Sequence, residues 1–339
     1  MNVNNRRLPS TRSVEIFGYL CHTRADDKHG SGERIMSIAA TIVPIFIVVI
    51  LGWGIQRRGF IPFNFLGPAN RLVYYVAIPA MIFQSTSKAR LREFDPRMIA
   101  LTLAAAAIGY AGAWWFCRLR RIENARAGSF IQSAGHGNLG YIGLAVSFYY
   151  LGEIGLVHAS LVAGFVMILQ NFLSVVALQA FGRPQVKGLR GVFWTKVMGN
   201  PVILAVLAGM TFSISSLPLP LIVEQTLKII SGMALPTALL IIGASLSLDR
   251  IRERLPLVLW AGVFKLLVLP GMGLLFYSLA GISVDAFLPG LILLASPTAT
   301  TSYVMAREMG GDDDLAVATI SASTLASAAT FIMWLKLAA

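Results

Sequence analysis

The sequence predicts an all-α polytopic membrane protein of about ten transmembrane helices, and three observations predict it. Of 339 residues, 56% are hydrophobic and only 13% charged, where a soluble domain carries about a quarter charged residues; the mean hydropathy is +0.71. Ten apolar stretches of about the length needed to cross a bilayer follow one another along the chain. The chain also matches itself at a shift of 157 residues, which divides those stretches into five and five.

The first 35 residues stand apart. They are polar, hold six Lys/Arg and show no apolar period. Two readings fit this 1–35 extension: a disordered tail, or upstream sequence translated from a start codon placed too early. Met36 opens directly onto the first span, and the apolar run behind it is too long for a signal peptide and lacks a small-residue cleavage site. The spans then read 36–55, 66–84, 98–117, 128–150, 154–181, 197–215, 223–247, 256–280, 284–306 and 313–337. Pro, Gly or polar residues interrupt the second, fourth, seventh and ninth; the others are cleaner. Residues 36–181 make a first five-helix unit, 182–196 a basic linker and 197–339 a second unit.

The net charge of +12 suggests a nucleic-acid partner only until its distribution is read. Basic residues cluster in short loops between apolar runs, as loops held on the cytoplasmic side do. The loops after spans 1, 3, 5, 7 and 9 carry Arg57, Arg58, Arg118, Arg120, Arg121, Arg126, Arg183, Lys187, Arg190, Lys196, Arg250, Arg252, Arg254 and Arg307. The even-numbered loops hold Lys88, Arg90, Arg92 and Arg97 alone. The linker is therefore expected in the cytoplasm and both termini outside, in the inner membrane if the source is bacterial. Cys21 and Cys117 suggest neither a disulfide framework nor a metal site, and no cofactor is expected.

At the 157-residue shift Pro44 falls on Pro201, Gly52 on Gly209, Arg71 on Lys228 and Pro79 on Pro236; one residue more places Gly152 on Gly310 and Asn138 on Ser296. An odd number of spans per unit makes the two units cross the membrane in opposite senses. Inverted five-helix repeats are an architecture of secondary transporters, with the substrate at the repeat interface near the midplane.

The sharpest local features lie in spans 4 and 9. The fourth contains Gly135-His136-Gly137-Asn138-Leu139-Gly140-Tyr141-Ile142-Gly143, and the ninth Ser296-Pro297-Thr298-Ala299-Thr300-Thr301-Ser302. Glycine weakens a helix, and proline removes a donor and clashes one turn back. Such breaks at membrane depth need protein or a hydrated cavity around them. A second half-helix then begins with unpaired N–H groups and partial positive charge, which suits an anion. Ser296 followed by Pro297 reads as a helix start, and Asn138 as the corresponding cap in span 4. Gly137, Gly143, Pro79 and Pro236 are the helix-breaking positions. Taken singly, each of these residues also suits close helix packing. The paired interruption is what points to a site.

Other polar residues say less. Arg71 and Lys228 lie near span ends, where long cations snorkel. Lys265 sits deeper, in span 8. His136 adjoins the break, as donor or titrating group or simply as one half of an interhelical hydrogen bond. His158 and Glu153 fit a span boundary. Span 10, with Ser321, Ser323, Ser327 and several alanines, reads as a tightly packed helix.

From about Met36 onward the chain resembles the auxin efflux carrier family, which includes bacterial malonate-type carriers and plant PIN proteins. The strings that carry the resemblance are Asn70-Arg71-Leu72-Val73-Tyr74-Tyr75-Val76-Ala77-Ile78-Pro79, Asn138-Leu139-Gly140-Tyr141-Ile142-Gly143-Leu144, Gly199-Asn200-Pro201, and Pro297-Thr298-Ala299 with Ala306 and Gly310-Gly311-Asp312. The resemblance implies two inverted five-helix repeats whose broken helices 4 and 9 cross around the substrate, an organic-acid cargo, and homodimers among its members. One departure stands out. The family usually has a proline after the Gly-Leu of helix 4, where this chain has Ala145.

The reading that joins these observations is alternating-access transport of a small mono- or dicarboxylate, most naturally efflux. The expected site residues are His136, Asn138, Gly140, Tyr141, Ser296, Pro297, Thr298 and Ser302; the partners are the carboxylate, the lipid bilayer and a second copy of the chain, with no nucleic acid. A channel or a transporter-like sensor of an organic acid remains the alternative. A membrane-embedded enzyme fits less well, since neither His-Glu-x-x-His nor Gly-x-Ser-x-Gly occurs.

Overall fold

The computed structural model describes residues 31–88, 94–182, 199–215 and 218–338. Residues 1–30 with Cys21, the loop residues Arg90 and Arg92, and the linker cations Arg183, Lys187, Arg190 and Lys196 lie outside them. Among the described residues all regular structure is helical, apart from one isolated antiparallel bridge between Gly137 and Thr298. The α-helices in chain order are α1 Ser31–Arg57, α2 Phe63–Leu72, α3 Ile78–Ser87, α4 Pro96–Leu119, α5 Asn124–Gly135, α6 Leu144–Phe181, α7 Pro201–Ser215, α8 Leu221–Gly232, α9 Ala234–Ala244, α10 Leu255–Val263, α11 Leu269–Leu279, α12 Val284–Ala295, α13 Thr301–Glu308 and α14 Asp313–Ala338. Six continuous helical stretches are long and apolar enough to cross a membrane, and α7 and α12 are shorter apolar helices. The protein is integral to a membrane.

Three π-helical turns, Val73–Ala77, Leu139–Gly143 and Phe264–Val268, join α2 to α3, lead into α6, and join α10 to α11. Two of them end two residues before a proline, Pro79 and Pro270. The cause is local. A proline inside a helix cannot donate to the carbonyl four residues back and its ring presses on it, so the chain widens there. Span 8 therefore differs from its clean reading, because Pro270 works as Pro79 does. For Pro270 the freed carbonyl is that of Leu266, and the Trp334 indole on α14 donates to it at 2.7 Å.

The stretch Leu139–Phe181 runs to 43 residues, about 65 Å if straight, or twice the hydrocarbon thickness. Gly152 divides it, with φ 73° and ψ −161°, a conformation open only to glycine. At the other end of the chain Gly310, φ 70°, turns α13 into α14.

Between apolar helices in lipid no hydrophobic term drives association, so close backbone packing must hold them. Two helix pairs do this, the first of them reciprocally. On α1 a Cβ added to Gly52 would meet the Leu240 backbone of α9, and one on Gly243 of α9 would meet Trp53 N at 3.0 Å. On α7 a Cβ on Gly209 would lie 2.9 Å from Thr86 Cβ and 3.3 Å from Phe83 O of α3.

The first helix begins at Ser31, five residues ahead of the boundary drawn at Met36.

Candidate functional site

Four half-helix ends converge at the centre. The α5 helix stops at Gly135, and the chain crosses through His136, Gly137 and Asn138 before re-entering helix at Leu139. Likewise α12 stops at Ala295, and α13 begins only at Thr301. The two irregular segments run antiparallel and exchange backbone hydrogen bonds: Asn138 N–H donates to Pro297 O at 2.7 Å, and Ala299 N–H to His136 O at 2.9 Å. Irregular backbone at this depth satisfies itself here by pairing with its counterpart. Ala145, where the resemblance expects proline, is buried within α6, downstream of the break; the glycines interrupt the helix without it.

Ser296 is not the start of the second half-helix. It is the residue closing α12, extended at φ −63° and ψ 143°. A residue before proline is pushed out of the α region, so Ser-Pro ends one helix here. The start falls four residues later, at Thr300–Thr301. Ser296 Oγ turns back to the Leu293 carbonyl. Asn138 does stand at the head of its half-helix, but its side chain makes no capping bond; its main-chain carbonyl accepts from Ile142 and Gly143 at 3.2 and 3.0 Å. The bridge opposes Gly137 to Thr298, so the segments align a few residues away from the Asn138–Ser296 match.

Neighbouring helices clamp each crossing segment. The Gln170 amide on α6 reads both polar groups of Gly137, accepting from its N–H at 3.1 Å and donating to its carbonyl at 3.2 Å. Ser174, one turn on, lies 3.0 Å from His136 Nδ1 and 2.8 Å from the Tyr110 hydroxyl. Opposite, Ser323 of α14 accepts from Thr298 N–H at 3.1 Å, and the Thr298 hydroxyl donates to Ser133 O at 2.8 Å. Sequence reasoning misses Gln170, Ser174, Tyr110 and Ser323 as parts of the site. In sequence they are polar residues within largely apolar runs, and nothing in their spacing marks which neighbour they serve.

Several buried polar atoms around the crossing have no hydrogen-bond partner among the described residues: both amide atoms of Gln132, Asn138 Nδ2 and the hydroxyls of Ser133, Ser302 and Thr324. Buried polar groups are normally paired, so these atoms stand out. In the first turn of a half-helix, as at Gly140 and Tyr141, N–H groups also have no intrahelical acceptor. The Tyr141 hydroxyl reaches α2, donating to Asn70 Oδ1 at 2.6 Å; two of the resemblance strings meet in that bond. Gly143 packs against the end of α12, where an added Cβ would lie 2.9 Å from Leu293 Cδ2 and 3.4 Å from Ser296 Oγ. Pro79 and Pro236 lie in α3 and α9 and shape spans 2 and 7 instead.

A separate cavity of about 710 Å³ opens among Arg121, Asn124, Arg126, Arg254 and Asp312. Asp312 pairs with Arg254 at 3.3 Å and lies 3.8 Å from Arg126, and Arg121 and Asn124 adopt positive φ of 51° and 56°. Among the described residues no group of three or more His, Cys, Asp or Glu is placed to hold a metal ion.

The chain is also similar to known proteins over most of its length. The family model described as "Membrane transport protein" matches residues 37–335. A Rhizobium meliloti (strain 1021) protein named "Putative malonate transporter" is 28% identical over 304 residues, spanning 86% of this chain and 93% of the relative. An uncharacterized transporter of Methanothermobacter thermautotrophicus is 25% identical over 88% of this chain and 98% of its own length. One from Methanocaldococcus jannaschii is 22% identical over 86% and 96% respectively.

Proposed function

The chain belongs to the membrane transport protein family, and from that premise we propose that it is a secondary carrier of a small carboxylate working by alternating access. The observation that carries the reading is the bridged crossing of Gly137 and Thr298 with unpartnered Asn138, Gln132 and Ser302 around it. Paired half-helix ends offer a carboxylate backbone donors without requiring a full cation for each oxygen. The name of the Rhizobium relative makes malonate the first acid to try.

Ten spans in two inverted repeats are part of the proposal. Three relations support it. The close contacts of Gly52 with Leu240 and of Gly209 with Phe83 interchange under the 157-residue shift. Gly152 and Gly310, matched at 158, both take positive φ. The half-helices α5 and α12 are each 12 residues long. In this arrangement the cavity beside Arg121 and Arg254 lies on the cytoplasmic side and gathers anions at the mouth, with both chain ends outside. One part of the molecule rocks against the other around the crossing.

Purified protein in liposomes, offered labelled malonate and a panel of mono- and dicarboxylates, tests the proposal. Saturable uptake with counterflow is expected for at least one acid. Uptake without saturation or counterflow means a channel; specific binding without uptake means a sensor. Either result ends the carrier reading.

A further inference from the structure

Among the described residues Lys265 is the one Lys, Arg, Asp or Glu side chain that is buried, at 1% exposure. It sits in the π turn Phe264–Val268, a widened stretch of helix. A charge at membrane depth is costly and its position is rarely accidental. Its partner is a carbonyl: Nζ donates to Leu294 O at 2.7 Å, in the last turn of α12. Its tip also presses on the other crossing segment, where a Cβ added to Gly137 would lie 3.2 Å from both Cε and Nζ. The ammonium thus binds the C-terminal end of α12 and lies beside the segment that follows α5.

Those ends explain why a cation is tolerated. The last four carbonyls of a helix have no intrahelical donor, and the terminus carries about half a negative charge. Here α5 and α12 both end beside the bridge. Serine and threonine hydroxyls take Leu293 O and Ser133 O, His136 N–H takes Gln132 O, and Lys265 takes Leu294 O. In transporters with broken helices, such converging C-terminal ends and unwound carbonyls are where a coupling sodium ion or proton is held.

We propose that Lys265 is a tethered cation: its ammonium occupies the place between the two half-helix C-termini that a free metal ion would otherwise fill, and it supplies the fixed positive charge against which the carboxylate is held at the crossing. This rests on the carboxylate-carrier reading and deepens it. Transport is then independent of sodium, because the site carries its own cation. An ammonium has three donors. One is bound to the Leu294 carbonyl, which leaves two for a ligand.

The test uses the full chain, wild type and the variants Lys265→Met and Lys265→Ala, in liposomes and in detergent. Wild-type uptake of labelled malonate, or of the carried acid found in the panel, is expected to be unchanged when sodium is replaced by choline. Lys265→Met, which keeps the stem and removes the charge, is expected to lose about tenfold or more in apparent affinity in protein that remains folded, with a lowered melting temperature as the Leu294 carbonyl loses its donor. Lys265→Ala is expected to recover uptake, and to melt higher, when methylammonium is added. A sodium requirement in the wild type, or unaltered affinity in Lys265→Met, overturns the proposal. If the wild type carries no acid at all, the carrier reading fails by itself, and melting decides for Lys265: a methylammonium shift in Lys265→Ala absent from the wild type supports the tethered cation, and no shift overturns it.

Discussion

The Trp334 indole N–H and the Leu266 carbonyl, 68 residues apart in the chain, share a hydrogen bond of 2.7 Å. That carbonyl is the one Pro270 leaves without a donor. A proline defect in α11 and a tryptophan on α14 are therefore two halves of one interaction, and removing either changes the meaning of the other.

Trp334→Phe keeps an aromatic side chain but deletes the donor and half of the indole, so a buried carbonyl is left unpaired and packing beside Gly271 is loosened. Destabilisation of about 1–3 kcal/mol is expected in detergent unfolding. Pro270→Ala restores a helical N–H for Leu266, and in that background Trp334→Phe is expected to cost markedly less. Equal costs in both backgrounds would show that the pair is not coupled.

Gln170→Leu strips both side-chain hydrogen bonds from Gly137. The carbonyl keeps the Leu139 N–H at 2.9 Å but the buried N–H is left unpaired, so a loss of about 1–3 kcal/mol is expected, together with loss of uptake. Gln170→Glu keeps an acceptor for the Gly137 N–H but no donor for its carbonyl, and is expected to fall between wild type and Gln170→Leu in melting temperature.

Asn138→Ala separates binding from stability. The Nδ2 group has no partner among the described residues, so truncation is expected to move the melting temperature little while apparent affinity for the carried acid falls about tenfold. Thr298→Val, which also loses its bond to Ser133 O, is expected to lower both. Wild-type transport by both variants would remove these residues from the site.

Gly209→Val drives a branched side chain into Thr86 and Phe83 of α3, and a cost of about 1–3 kcal/mol or more is expected from overpacking. At Gly232, at the end of α8, an added Cβ would meet nothing within 4 Å, so Gly232→Ala serves as the control and is expected to be neutral or slightly stabilising. Similar losses at both positions, read by thermal unfolding, would deny the close α3–α7 approach its role.

The helical segments are legible in the sequence because apolar length and the order of Pro and Gly report directly on lipid and on backbone freedom. Spans 2, 4, 7 and 9 carry their interruptions openly. The Pro270 turn in span 8 has the same signal, but the uniformly apolar residues around it hide the break. Ser296 belongs to the opposite end of a helix from the one its sequence suggests, because Ser-Pro fits both a cap and a stop; the extended conformation imposed before proline decides between them. Gln170 and Ser174 are illegible, since a polar side chain in an apolar run gains its meaning only from the helix opposite. Lys265 is visible as a charge at depth, but the carbonyl that receives it lies 29 residues away.

The crossing itself is tied by main-chain atoms, Asn138 N–H to Pro297 O and Ala299 N–H to His136 O. Every amino acid except proline brings the same N–H, and all bring the same carbonyl. The main-chain knot at the centre thus owes nothing to the side chains of Asn138 or Ala299, which are left free to be exchanged. A protein built this way can acquire a new cargo by altering what projects from the knot without untying it, so selectivity and architecture evolve separately within the same residues.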